Sequence, residues 1–113
     1  MNSFRSAAIL SFFFILFFLT GKNAVFATVT LPSFFSDNMV LQQQTDAAIW
    51  GWAQSNSTVQ ITTSWNKKKY TTKADASGKW KLKISSPAAS GPYEITISDG
   101  KPLVLHNIMI GEV

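Results

Sequence analysis

The sequence predicts an all-β fold, an antiparallel immunoglobulin-like β-sandwich preceded by a signal peptide. Apolar side chains alternate with polar ones at every second position in three separate stretches, and turn-forming residues fall between apolar runs at intervals of about ten residues. No window of helix length shows helical spacing. Connections this short leave no room for crossover helices, so the strands must pair antiparallel. The 113 residues set a ceiling of one small domain.

The first element is an export leader. Arg5 supplies its positive charge, residues 7–19 are apolar apart from Ser11, and Val25 and Ala27 place small side chains at the −3 and −1 positions of a cut after Ala27. Seven of the nine Phe lie in the first 26 residues, so the hydrophobic content belongs largely to this segment. The apolar run has 13 residues, whereas a membrane-spanning helix needs about 20, so no stable membrane anchor is expected. The protein is expected to be secreted or periplasmic. Cleavage leaves 86 of the 113 residues and removes Arg5 and Lys22 but no acidic residue, which lowers the net charge from +4 to +2. That charge excludes nucleic acid as a partner.

Strand runs follow at 39–42 and 47–53. Residues 58–65 alternate cleanly, with Val59, Ile61, Thr63 and Trp65 on one face. The Lys67-Lys68-Lys69 cluster then reads as a solvated hairpin tip before a run at 69–74. Asp75-Ala76-Ser77-Gly78 forms a turn. In 79–84, Trp80, Leu82 and Ile84 face a core while Lys79, Lys81 and Lys83 stay in water and discourage edge pairing. Tyr93, Ile95 and Ile97 alternate in the next strand, and Asp99-Gly100 suits a tight turn back into 102–110. The expected core draws on Trp50, Val59, Ile61, Trp80, Leu82, Tyr93, Ile95 and Ile97. The last strand differs, because Leu103-Val104-Leu105 and Ile108-Met109-Ile110 put apolar groups on both faces. Such a strand asks for cover on both sides, which predicts contact with a domain missing from the sequence through Leu105, Ile108, Met109 and Ile110. The sequence stops within this run, so a truncated chain is expected.

Candidate chemistry is sparse. There is no Cys, which excludes disulfides, thiol nucleophiles and cysteine-ligated zinc, and the single His tightly constrains metal sites and His-dependent catalysis. No catalytic residue, cofactor or metal site is therefore expected. His106 reads as a packed or interface histidine inside the last strand, and Asp37, Asp46, Asp75, Glu94, Asp99 and Glu112 read as solvated residues of turns and outer faces. Trp50 and Trp52 share a strand face at i and i+2, a spacing that suits stacking on sugar rings, although large aromatics are more often buried. Trp65 is a further candidate for such a platform. Asn56-Ser57-Thr58 matches the N-glycosylation acceptor pattern of a eukaryotic secreted protein.

The stretch Leu31-Pro32-Ser33-Phe34-Phe35-Ser36-Asp37-Asn38-Met39-Val40-Leu41-Gln42-Gln43, followed by Ile49-Trp50-Gly51-Trp52-Ala53, resembles the opening of the sialate O-acetylesterase family. Asp75-Ala76-Ser77-Gly78-Lys79-Trp80, Gly91-Pro92-Tyr93-Glu94-Ile95 and Asn107-Ile108-Met109-Ile110-Gly111-Glu112-Val113 fall in the same order as in that family. In the family, the Gly-Glu-Val element leads into a Gly-Gln-Ser-Asn block bearing the nucleophilic serine of an SGNH-type hydrolase domain. The resemblance thus implies a non-catalytic N-terminal domain of a secreted carbohydrate esterase. Its implied partners are a downstream catalytic domain of the same polypeptide and an acetylated carbohydrate. A free-standing secreted carbohydrate-binding module is the alternative.

Overall fold

The computed structural model describes residues 29–113; the leader predicted over residues 1–27 lies outside them. Seven strands follow in order: β1 (Val40–Gln42), β2 (Asp46–Trp52), β3 (Thr58–Thr63), β4 (Lys69–Lys73), β5 (Lys79–Ser85), β6 (Ser90–Ser98) and β7 (Pro102–Gly111). They form a five-stranded sheet in the order β1-β7-β6-β3-β4 and a two-stranded sheet of β2 with β5. The architecture is all-β and sandwich-like, and every strand pair is antiparallel except β1 with β7, which is parallel.

One apolar cluster joins the two sheets. Ile49, Trp80 and Ile84 come from the small sheet, while Val59, Ile61, Ile95, Ile97, Leu105 and Ile108 come from the large one. Leu82 and Tyr93, expected in the core, are partly buried and pack against it. Alternation along β3 and β5 is as the sequence predicts, although β3 ends at Thr63 and leaves Trp65 in the turn. That turn is closed by side chains. Buried Thr63 donates its hydroxyl to Asn66 Oδ1 at 2.7 Å, and the same oxygen accepts the Lys68 N–H at 2.9 Å. Lys67 and Lys68 lie in the turn and Lys69 opens β4, as a hairpin tip requires.

Trp50 is a correction. Along β2 the inward positions are Ile49 and Gly51, and the Trp50 side chain stands outside the core at 38% exposure. Gly51 explains the phase. Thr30 pairs with Trp52 through two backbone hydrogen bonds of 2.8 and 2.9 Å, so the Thr30 carbonyl crosses where a Gly51 Cβ would sit. The Trp80 ring lies against the same point, 3.1 Å from that position, and supplies the aromatic volume on the inner face.

The last strand is the second correction. Ile95 of β6 faces Leu105 and Tyr93 faces Ile108, so β7 advances three residues while β6 advances two. The extra residue is a β-bulge at His106-Asn107, with Asn107 in the left-handed region at φ 58°. The inward set thereby shifts from Leu105 to Ile108 and Ile110. The bulge brings Ile108 and Ile110 onto the same inner face as Leu105, so most of the apparent second apolar face is one face with a change of phase. Leu105, Ile108 and Ile110 are buried in this domain's own interior, and only Met109 of the four predicted contact residues points outward, at 38% exposure.

The bulge is held by the segment before β1. Asp37 Oδ1 accepts the His106 N–H at 2.7 Å, the Asn38 N–H donates to the His106 carbonyl at 3.0 Å, and Asn107 Nδ2 donates to Asn38 Oδ1 at 2.7 Å. Val40, Leu41 and Gln42 then pair with Met109, Ile110 and Gly111. The Asp-Asn-Met-Val-Leu-Gln block is thus one structural unit that satisfies the backbone groups a bulge leaves unpaired.

Candidate functional site

Trp50 and Trp52 project from the outer face of the two-stranded sheet, with Trp52 at 42% exposure. In the register Trp50 stands opposite Lys81 and Trp52 opposite Lys79. These four side chains, with Lys73 from the end of β4 and Asp75 from the following turn, line an open concavity of about 570 Å³ floored by Gly51 and Trp80. The two tryptophans predicted as a sugar-stacking pair are therefore together at a concave surface. Alternation along β5 shows Lys79 and Lys81 only as outward residues; they meet the tryptophans because β2 pairs with β5, a strand that is not its neighbour in the chain.

Local packing fixes the tryptophan on the N-terminal side. Phe35, which is buried, and Phe34, which is exposed, meet Trp50 edge-to-face at ring centroid distances of 4.9 and 5.5 Å. Such contacts restrict the indole and lower the conformational entropy lost when a ligand stacks on it. Trp65, the further candidate, does not join this surface. It packs edge-on against Tyr93 at 5.5 Å and donates Nε1–H to the Ser85 carbonyl at 2.9 Å.

The carboxylate at the rim serves the turn. Asp75 Oδ1 accepts hydrogen bonds from the Ser77 hydroxyl at 2.7 Å and from the Ser77 and Lys79 N–H groups at 2.9 Å each. These donors, the Ser77 hydroxyl foremost, hold its carboxyl below the ordinary carboxylate range. Glu112 is likewise lowered, by the Gln43 and then the Gln42 side-chain amides that bind it at 3.0 to 3.3 Å.

His106 differs from its expected packed setting. The bulge turns it outward, and its Nδ1 meets Glu94 Oε2 at 2.7 Å with both side chains more than half exposed. Glu94 is thus a hydrogen-bond partner of His106 rather than a lone solvated residue, and an exposed contact of this kind contributes at most about 1 kcal/mol. A serine-type centre needs a hydroxyl on the histidine, and among the described residues no hydrogen bond joins the His106 ring to one. Asn56 lies in an exposed turn, where its N–H donates to the Asp75 carbonyl at 3.1 Å.

No family model matches the sequence. No curated protein matches it either. Among solved structures, the crystal structure of a carbohydrate acetylesterase from Xanthomonas citri is similar, at 34% sequence identity and a TM-score of 0.68 over 74% of this chain. The match occupies 19% of that protein, so this chain spans about a fifth of its length. The β-domain is thereby related to part of a carbohydrate esterase.

Proposed function

We propose that this chain is the accessory N-terminal β-domain of a secreted carbohydrate O-acetylesterase that removes acetyl groups from sialic acids or other sugars. The similarity to the carbohydrate acetylesterase carries this reading, since it covers three quarters of this chain but only a domain-sized share of the enzyme. Catalysis then resides in a separate domain of the same polypeptide. Ester hydrolysis by a serine enzyme needs an activated hydroxyl beside a base and donors aimed at the developing oxyanion. The sole histidine of the sequence is committed instead to Glu94 at the surface. Met109 and its β1 neighbour Val40, both outward and paired in register, are the apolar groups of β1 and β7 that would meet the catalytic domain.

The test is an acetyl-ester assay on purified residues 28–113 beside a His106→Ala variant. Both should be inactive, and turnover that disappears with His106 would overturn the proposal. Export with removal of the leader after Ala27 belongs to the same reading. Mass spectrometry of secreted protein should then show Thr28 as the first residue, and a retained Met1 would refute it.

A second reading, a carbohydrate-binding module, is favoured by the outward placement of Trp50 and Trp52 at the concavity. It is compatible with the first, because binding at this face needs no catalytic group.

A further inference from the structure

The outer face of the β2–β5 sheet carries more positive charge than sugar stacking needs. Lys79 and Lys81 alternate with buried Trp80 along β5, and Lys73 reaches the same concavity from β4. The one carboxylate lining it, Asp75, already accepts three hydrogen bonds from its own turn. Among the described residues the one acid–base contact within 4 Å is His106 with Glu94, so no carboxylate lies that close to the ammonium groups of Lys73, Lys79 and Lys81. Three cations against the single Asp75 carboxylate leave a net positive charge beside low-dielectric aromatic walls, which concentrates anions. Protection of an exposed edge accounts for outward lysines on β5. It does not account for a third from another strand meeting them beside two exposed indoles.

The aromatic half of the site points to a ring-shaped ligand. Trp50 and Trp52 are two residues apart on one face, which sets their origins about 7 Å from each other along the strand. Gly51 lies between them with its Cα turned inward, and Trp80, its partner in the register, lines the same concavity. Indole faces stack on the C–H faces of pyranose rings, whereas ammonium groups at the rim pair with a carboxylate or sulfate. We infer that this concavity binds an anionic saccharide. Trp50 and Trp52 hold its rings, and Lys73, Lys79 and Lys81 hold its acidic group. The inference rests on the carbohydrate reading of this face and adds the charge of the ligand. A single-stranded nucleic acid also pairs stacking with cations, but its backbone needs an extended basic groove. Here the cations converge on one concavity of about 570 Å³.

Titration of the purified protein by intrinsic tryptophan fluorescence, with calorimetry as a second readout, separates the outcomes. Two matched pairs of probes are used, 3′-sialyllactose against lactose and trigalacturonate against its methyl ester. The acidic member of at least one pair should bind about tenfold more tightly than its neutral counterpart, the scale of one added charge-assisted contact. Which pair shows the preference distinguishes a sialic acid from a uronic acid. The preference should vanish in a Lys79→Gln/Lys81→Gln double variant, and it should shrink in Lys73→Gln, a single change on a different strand. Trp52→Ala should weaken acidic and neutral probes alike. Equal affinity within both pairs would overturn the anionic inference while leaving the carbohydrate reading intact. Failure of every glycan to bind would overturn both, and tighter binding of a single-stranded oligonucleotide than of any glycan would replace the ligand class.

Discussion

At the scale of single residues, Asp75 shows how a polar side chain can be structural beside a candidate site. Its carboxylate replaces backbone partners for Ser77 and Lys79, and Gly78 follows at φ 88°, where a Cβ would strike the Ala53 carbonyl. The linkage has a definite sign. The folded carboxyl lies below its ordinary value, so its contribution is present above the unfolded value and is lost as pH falls through the folded one. Acidification below about pH 5 should therefore lower the midpoint of chemical denaturation. Asp75→Asn, which keeps an acceptor oxygen but cannot titrate, should make that fall shallower. An unchanged pH dependence in the variant would show that the turn does not draw on the charge. Glu112 acts in the same direction, so Glu112→Gln should flatten the profile independently.

At the scale of elements, β7 is decided by one residue. Asn107 takes a left-handed conformation that Asn tolerates and β-branched residues do not. Its side chain also binds Asn38, so conformation and contact reinforce each other. Asn107→Val should cost about 1 to 3 kcal/mol through backbone strain, and further through the lost Asn38 bond. Asn107→Gly, which removes the strain but not the loss of the bond, should be clearly milder in urea denaturation. Equal costs would mean that φ at this position is not limiting. The bulge also sets the surface, since it turns His106 to Glu94 and leaves Met109 beside Val40.

For the whole molecule, Trp80 is the member of the core that links interior and site. It is 4% exposed, packs among both sheets and floors the concavity between Trp50 and Trp52. Its indole N–H is buried without a hydrogen-bond partner, an arrangement that forfeits part of the stability its area provides. Trp80→Ala should cost about 3 to 5 kcal/mol. Trp80→Phe should cost distinctly less, because it keeps most of the ring volume and removes the orphan donor. A loss below about 1 kcal/mol for the alanine variant would contradict the burial of its ring in this core. Circular dichroism of the parent should show β-structure throughout.

Alternation by itself determined the all-β class, the inward faces of β3 and β5, and the turns at Asp75 and Asp99, because strand geometry repeats every two residues and turn residues act locally. The pairing of Trp50 and Trp52 on one face was legible for the same reason. Which side of β2 that face occupies was not. It depends on Thr30 crossing Gly51 and on Trp80 filling the interior from a strand nearly thirty residues away. The bulge was hidden likewise, since one inserted residue makes a single buried face look like two, and the partners that stabilise it are Asp37 and Asn38 on a segment far off in the chain. The convergence of Lys73, Lys79 and Lys81 on the tryptophans came only with the tertiary structure. Non-local strand pairing brings distant side chains together, and no local periodicity encodes it.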